Sequence, residues 1–179
     1  VIGTLTTVPA LSRTDLLAPV VAQALAAVPA ADVFVAAIDP DLADTAAFCD
    51  AYAVPPQASA NCVVVAGRRE GDTRYGACVV LATTRADVNG MVRRQLDVRK
   101  ASFAAMDDAV ARTGMQYGGI TPVGLPAGWP LYVDAAVVAV PYVIIGSGIR
   151  ASKLVLPGKA LADLPNAVVV DGLARPVTG

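Results

Sequence analysis

The sequence predicts an α/β fold: a single domain, residues 1–179, on a curved, mixed, barrel-like β-sheet with flanking helices. Three observations point there. Short β-branched runs such as Cys62–Ala66 and Ala77–Ala82 stand among segments of helical period. Strands and helices follow one another in mixed order rather than in a regular βαβ alternation. A loop from Gly118 to Pro126, with three glycines and two prolines, separates two apolar segments.

The elements follow in chain order. Ser12 to Val28 reads as a helix, capped by Ser12 or Thr14, with Leu16, Leu17, Val20, Val21 and Leu25 near helical spacing. Pro19 marks a break or a first turn within it. Val33 to Ile38 is a short buried strand. Asp41 to Tyr52 has acids early and Phe48 and Tyr52 four apart, which suits a helix that Val54-Pro55-Pro56 stops. The runs at Cys62–Ala66 and Ala77–Ala82 flank a charged turn with Gly71-Asp72 and make a β-hairpin. Thr84 to Leu96 and Phe103 to Thr113 read as helices, the second ending at Gly114 as a C-cap. Strands follow at Leu131–Val133, Tyr142–Ile145 and Lys153–Leu156, then a helical turn at Gly158–Asp163 and a last strand at Ala167–Val170.

Composition narrows the function. Hydrophobic residues make up 55% and aromatic residues 5%, so Ala, Val, Leu and Ile must build the core. No apolar run reaches spanning length, because Pro141 interrupts the longest candidate, and no signal-peptide pattern opens the chain. A cytoplasmic protein without membrane partners is the expectation. The sequence has no histidine, which excludes a Ser-His-Asp triad, a Cys-His dyad and a histidine metal site. Cys49, Cys62 and Cys78 fit no zinc spacing and read as buried free thiols. The net charge of −1 argues against a uniformly basic, DNA-binding surface. Arg68-Arg69, Arg74, Arg93-Arg94 and Arg99-Lys100 fall either on one basic face or on an ordinary solvated surface.

The Gly118–Pro126 loop carries the functional signal. A flexible linker is rich in Ser and charge, whereas this one holds Ile, Val and Leu and directly follows Tyr117. Such a loop folds back on the protein and forms a pocket wall, or is simply a rigid connection. Gly118-Gly119-Ile120-Thr121-Pro122-Val123-Gly124, then Leu131-Tyr132-Val133-Asp134, then Gly146-Ser147-Gly148-Ile149-Arg150 resemble the YbaK/ProX family of aminoacyl-tRNA editing domains, the prolyl-tRNA synthetase-associated fold. The resemblance spans residues 40–173 and leaves residues 1–39 as an N-terminal helix and strand. It implies a deacylase acting on the 3′ end of mischarged tRNA, with a synthetase as a further partner and with neither cofactor nor metal.

The same resemblance assigns the site. Asn61 and Asp134 are the catalytic candidates. Tyr117, Gly118, Gly119, Thr121, Gly124, Ser147 and Arg150 are the substrate-binding candidates. Glycine main chain lets an ester approach N–H donors that stabilise an oxyanion. Asp134 would orient water or bind the substrate's α-amino group; Thr121 would hold the turn or the ligand; Tyr117 would stack on the terminal adenine; Arg150 would meet a phosphate. The chain departs from the family at Asn61, where many members carry a functional lysine. An asparagine orients water or a ribose hydroxyl but brings no charge. Without that charge, the chain is either a deacylase using Asn61 or a module that binds aminoacyl-tRNA or a related small ligand without turnover. Lys100 and Lys153 do not match the family position, and Cys62, adjacent to Asn61, should face the core.

Overall fold

A computed structural model describes residues 2–27 and 32–177. Its strands are β1 (Val8–Pro9), β2 (Phe34–Ala37), β3 (Ala60–Arg69), β4 (Asp72–Leu81), β5 (Thr84–Ala86), β6 (Ala101–Phe103), β7 (Leu131–Asp134), β8 (Val143–Gly146), β9 (Ser152–Leu156), β10 (Ala167–Val170) and β11 (Ala174–Pro176). The α-helices are α1 (Pro19–Ala26), α2 (Thr45–Ala51), α3 (Arg93–Gln95), α4 (Met106–Thr113) and α5 (Ala135–Val138).

The architecture is mixed α/β, as the sequence predicts. One sheet has the order β1-β2-β9-β8 and is antiparallel throughout. A second has the order β10-β7-β4-β3-β6, with β7 parallel to both β4 and β10. A short pair, β11-β5, stands apart. The two larger sheets meet at a single parallel bridge, Ser59 to Ile144. Among the described residues the sheets do not close into a barrel.

Local chemistry explains where the elements differ from the pattern. Pro19 occupies the first position of α1, where its missing N–H costs nothing, and Ala18 rather than Ser12 or Thr14 precedes it. The Ser12 hydroxyl instead donates to the Pro9 carbonyl at 2.7 Å. Val28, the predicted end of this helix, lies outside the described residues. The segment expected as one helix from Thr84 to Leu96 starts as β5. Asp87 then accepts from Gly90 and Met91 N–H and opens a wide helical turn that leads into α3. Phe103 likewise belongs to β6, and α4 begins three residues later. The hairpin β3–β4 is longer than its β-branched centre, because the polar residues at its tip still pair in register.

The largest core joins α1 to the sheets through Val21, Leu25, Val79, Val133, Val143 and Leu154. A smaller one packs Phe48 and Cys49 of α2 against Ile144 and Val155. The Gly118–Pro126 loop folds onto the large core: Val123 is buried and Ile120 and Leu125 pack against it. It also presses its backbone against β8 and the turn after it. A Cβ on Gly146 would stand 2.5 Å from the Gly119 carbonyl oxygen, and one on Gly119 would stand 2.6 Å from the Ile149 oxygen. Gly146→Ala should therefore lower stability by about 1–3 kcal/mol, the usual cost of overpacking, as read by urea unfolding.

Candidate functional site

The site grows from the bridge between the sheets. Ser59 stands beside Ile144 in parallel register, so Asn61, two residues on, lies near Gly146. Gly146 pairs in turn with Lys153. Side chains alternate along strands, so these three positions share one face. Gly146 has no side chain, so the Gly119 and Ile120 carbonyls press in where one would stand, and beside this contact a space remains between Asn61 and Lys153. That space is a cavity of about 280 Å³. Asn61 and Lys153 line it together with Asp44 and Thr45 at the start of α2, and with Tyr117, Gly118 and Ile120 of the glycine loop. Ala43, Ala60, Val63, Ile144 and Ile145 complete its apolar wall.

Neighbouring groups fix each lining residue. The Thr45 hydroxyl donates to Asn61 Oδ1 at 2.6 Å, and among the described residues no acceptor takes the Asn61 side-chain N–H groups, which can serve as donors. Gly118 has φ of +78°, and a Cβ there would collide with the Arg150 guanidinium. Arg150 Nε donates to the Pro40 carbonyl at 3.1 Å and Nη1 to the Tyr117 carbonyl at 3.3 Å; the same guanidinium lies 3.7 Å from the Asp44 carboxylate. Arg150 thus clamps the glycine loop to the segment entering α2. Tyr117 is 54% exposed at the cavity rim. No acceptor within the described residues takes the Gly118 N–H.

Lys153 is the unusual member. It is 8% exposed, and its ammonium donates to the Ala43 carbonyl at 2.8 Å and stands 5.2 Å from the Phe48 ring centre. Burial pushes its pKa below the ordinary lysine value, and the Asp44 charge works against that shift. The cysteines are poor nucleophiles. Burial raises the pKa of Cys49 and Cys62, and that of Cys78 to about 12.

Residues 39–164 match the family of aminoacyl-tRNA editing domains. The chain belongs to this family. No curated protein matches it in sequence. Among solved structures, a protein proposed as a trans-editing enzyme for prolyl tRNA synthetase is 21% identical with a TM-score of 0.72, over 92% of this chain and 96% of that one. A scaffold protein from the computational grafting of linear epitopes is 23% identical with a TM-score of 0.73, over 86% and 95% respectively. At these identities the likeness concerns the fold.

Set on this editing-domain fold, the predicted site residues separate. Asn61, Tyr117 and Gly118 meet at the cavity. Asp134 does not. One of its carboxylate oxygens accepts from Ala136 N–H at 2.8 Å and caps α5; the other accepts from Ala174 N–H at 2.8 Å. It is a structural lock, which corrects the catalytic expectation. Ser147 is fully buried, and its hydroxyl bonds Ser152 and the Ile149 carbonyl, so it holds the turn rather than a substrate. Thr121 is also fully buried, outside the cavity, and its Oγ1 has no partner among the described residues. Gly124 packs on the Val20 backbone, away from the site. Gly119 spends its N–H on the Gln116 carbonyl and its carbonyl on Gly148 N–H, so it cannot donate to an oxyanion. Arg150 reaches the site by holding the loop.

Sequence reasoning missed Lys153, Asp44 and Thr45 as site residues. A lysine at the head of the apolar run Leu154-Val155-Leu156 was the available signal, since a charge on a buried strand needs a reason. The pH dependence follows from the lowered pKa. Between that value and the ordinary lysine value of about 10.4, the unfolded chain binds more protons at position 153 than the folded one. Lys153 should therefore make stability rise with pH across that window and impose its full penalty below it. In thermal melts Lys153→Met should be more stable than wild type at neutral pH, and the gain should shrink as pH approaches 10.

Proposed function

We propose that the protein is a deacylase that hydrolyses mischarged aminoacyl-tRNA in the cavity beside Gly146, between Asn61 and Lys153. The observation that carries this is the convergence of Asn61 from β3, Tyr117-Gly118 from the glycine loop and Lys153 from β9 on one space. These residues are far apart in sequence and come from elements that could each have faced elsewhere.

The geometry suits the chemistry. An editing site is needed because a synthetase pocket separates amino acids that differ by one methylene by only about 1–3 kcal/mol. The cavity is small and its wall of Ala, Val and Ile accepts a short apolar acyl side chain. The Asp44 carboxylate at the rim meets the α-ammonium of the aminoacyl group. Tyr117 offers a face on which the terminal adenine stacks. The Gly118 N–H and the Asn61 amide are the neutral donors for the ester and the ribose. With the Asp44 carboxylate engaged by the α-ammonium, no other carboxylate lines the cavity to act as general base, so water attacks with help from the hydroxyl adjacent to the ester on the terminal ribose. The ester C–O bond breaks, the water's proton passes to the departing ribose oxygen, and free amino acid and tRNA leave.

The test is release of amino acid from tRNA charged in turn with alanine, serine, cysteine, valine and proline. We expect turnover on at least one small amino acid. Asn61→Ala should slow it by roughly 10–100-fold, because a lost positioning contact commonly costs that much. Tight binding of an uncleavable aminoacyl-adenosine with no turnover on any charged tRNA would make the protein a binding module instead.

A further inference from the structure

We infer that Lys153 supplies the positive charge for the ester's carbonyl oxygen, from β9 rather than from the strand that carries Asn61. This rests on the deacylase function proposed above and names the group that stabilises its transition state.

The argument starts from donors left over. An ammonium has three N–H donors, and a buried one is costly unless they are satisfied. Within the described residues, one hydrogen bond is made, to the Ala43 carbonyl. Among the described residues no carboxylate lies within ion-pair distance: Asp44, the acid whose charge acts on it, pairs instead with Arg150 at 3.7 Å. The remaining donors belong to a side chain that lines the cavity. The surroundings on every packed element are accounted for. Asp44 and Cys49 belong to the α2 segment, Arg150 to the turn before β9, and Phe48 offers only its ring. A lysine serving structure alone would be better replaced by an apolar residue, because Val155 two positions along the same strand packs in the same small core.

Register gives the reach. Lys153 pairs with Gly146, the Ser59–Ile144 bridge brings the start of β3 alongside β8, and Asn61, Gly146 and Lys153 all line the one cavity. Two strand spacings within a sheet amount to about 10 Å, and a gap of that order holds an ester carbonyl between an amide and an ammonium. As water adds to the carbonyl carbon, its π electrons move onto oxygen. The Lys153 ammonium donates a hydrogen bond to that oxygen without transferring its proton. When the carbonyl re-forms, the ribose oxygen departs with the water's proton.

The experiment compares the full chain with Lys153→Met and Lys153→Gln on the best substrate of the charged-tRNA panel. Thermal melting is measured in parallel. Loss of one preorganised donor to an oxyanion costs on the order of 10²–10³ in kcat. We expect that loss in both variants, with KM little changed and melting temperature equal to or above wild type. Lys153→Gln retains an N–H for Ala43 and serves if the Met variant does not melt cooperatively. A folded variant with kcat within threefold of wild type overturns the inference while leaving the deacylase intact. A wild type inactive on every charged tRNA overturns the deacylase itself.

Discussion

The site depends on one close approach of main chain to main chain. Gly148 N–H donates to the Gly119 carbonyl at 2.7 Å, and the facing positions, Gly119 and Gly146, have no room for a Cβ. This contact seats the glycine loop on the turn between β8 and β9. It brings Tyr117 and Gly118 over the end of the same strand whose pairing sets Lys153, and the bridge at Ser59 brings Asn61 to the other side. Arg150 then fastens the loop to the segment that starts α2. If any of these backbones stood a side chain's width further away, the four elements would not enclose a common space.

That arrangement has an electrostatic cost. A charged lysine in an apolar wall is disfavoured, and its pKa falls accordingly. Proteins keep such groups where they serve chemistry, since poised and perturbed ionisable groups gather at functional sites. Asp134 is a useful contrast. It is equally buried, but each oxygen accepts from a backbone N–H and the side chain lies outside the cavity, so it holds structure instead of facing a substrate. The two residues show how hydrogen-bond accounting separates a structural charge from one with donors to spare.

Much of the fold was legible in the sequence because periodicity reports burial directly. The hairpin at Cys62–Ala66 and Ala77–Ala82, the strands at 131–133 and 153–156 and the helix ending at Gly114 all appear where spacing puts them. The short strands β1, β5, β6 and β11 were not legible. Each is two or three residues long, too short for a period; β1 and β6 form by pairing with the longer β2 and β3, and β5 and β11 by pairing with each other. The site was half legible. The glycine loop marked itself by composition, and the resemblance to editing domains drew attention to Asn61. Asp134 misled because a carboxylate at a strand end looks the same whether it faces a pocket or caps the next helix. Lys153 was passed over because its importance comes from pairing with Gly146, a partner seven residues away across a turn.

The most direct test of the central claim, that Asn61, Gly118 and Lys153 surround the reacting ester, is a crystal structure with an aminoacyl-adenosine whose ester is replaced by an amide. The account predicts the acyl carbonyl in the cavity beside Gly146, with its oxygen within hydrogen-bond distance of Lys153 Nζ and the adenine against Tyr117. An analogue bound instead in the separate apolar groove that Leu25, Val123, Leu125, Trp129 and Leu164 line, with the cavity beside Gly146 unchanged, would contradict it.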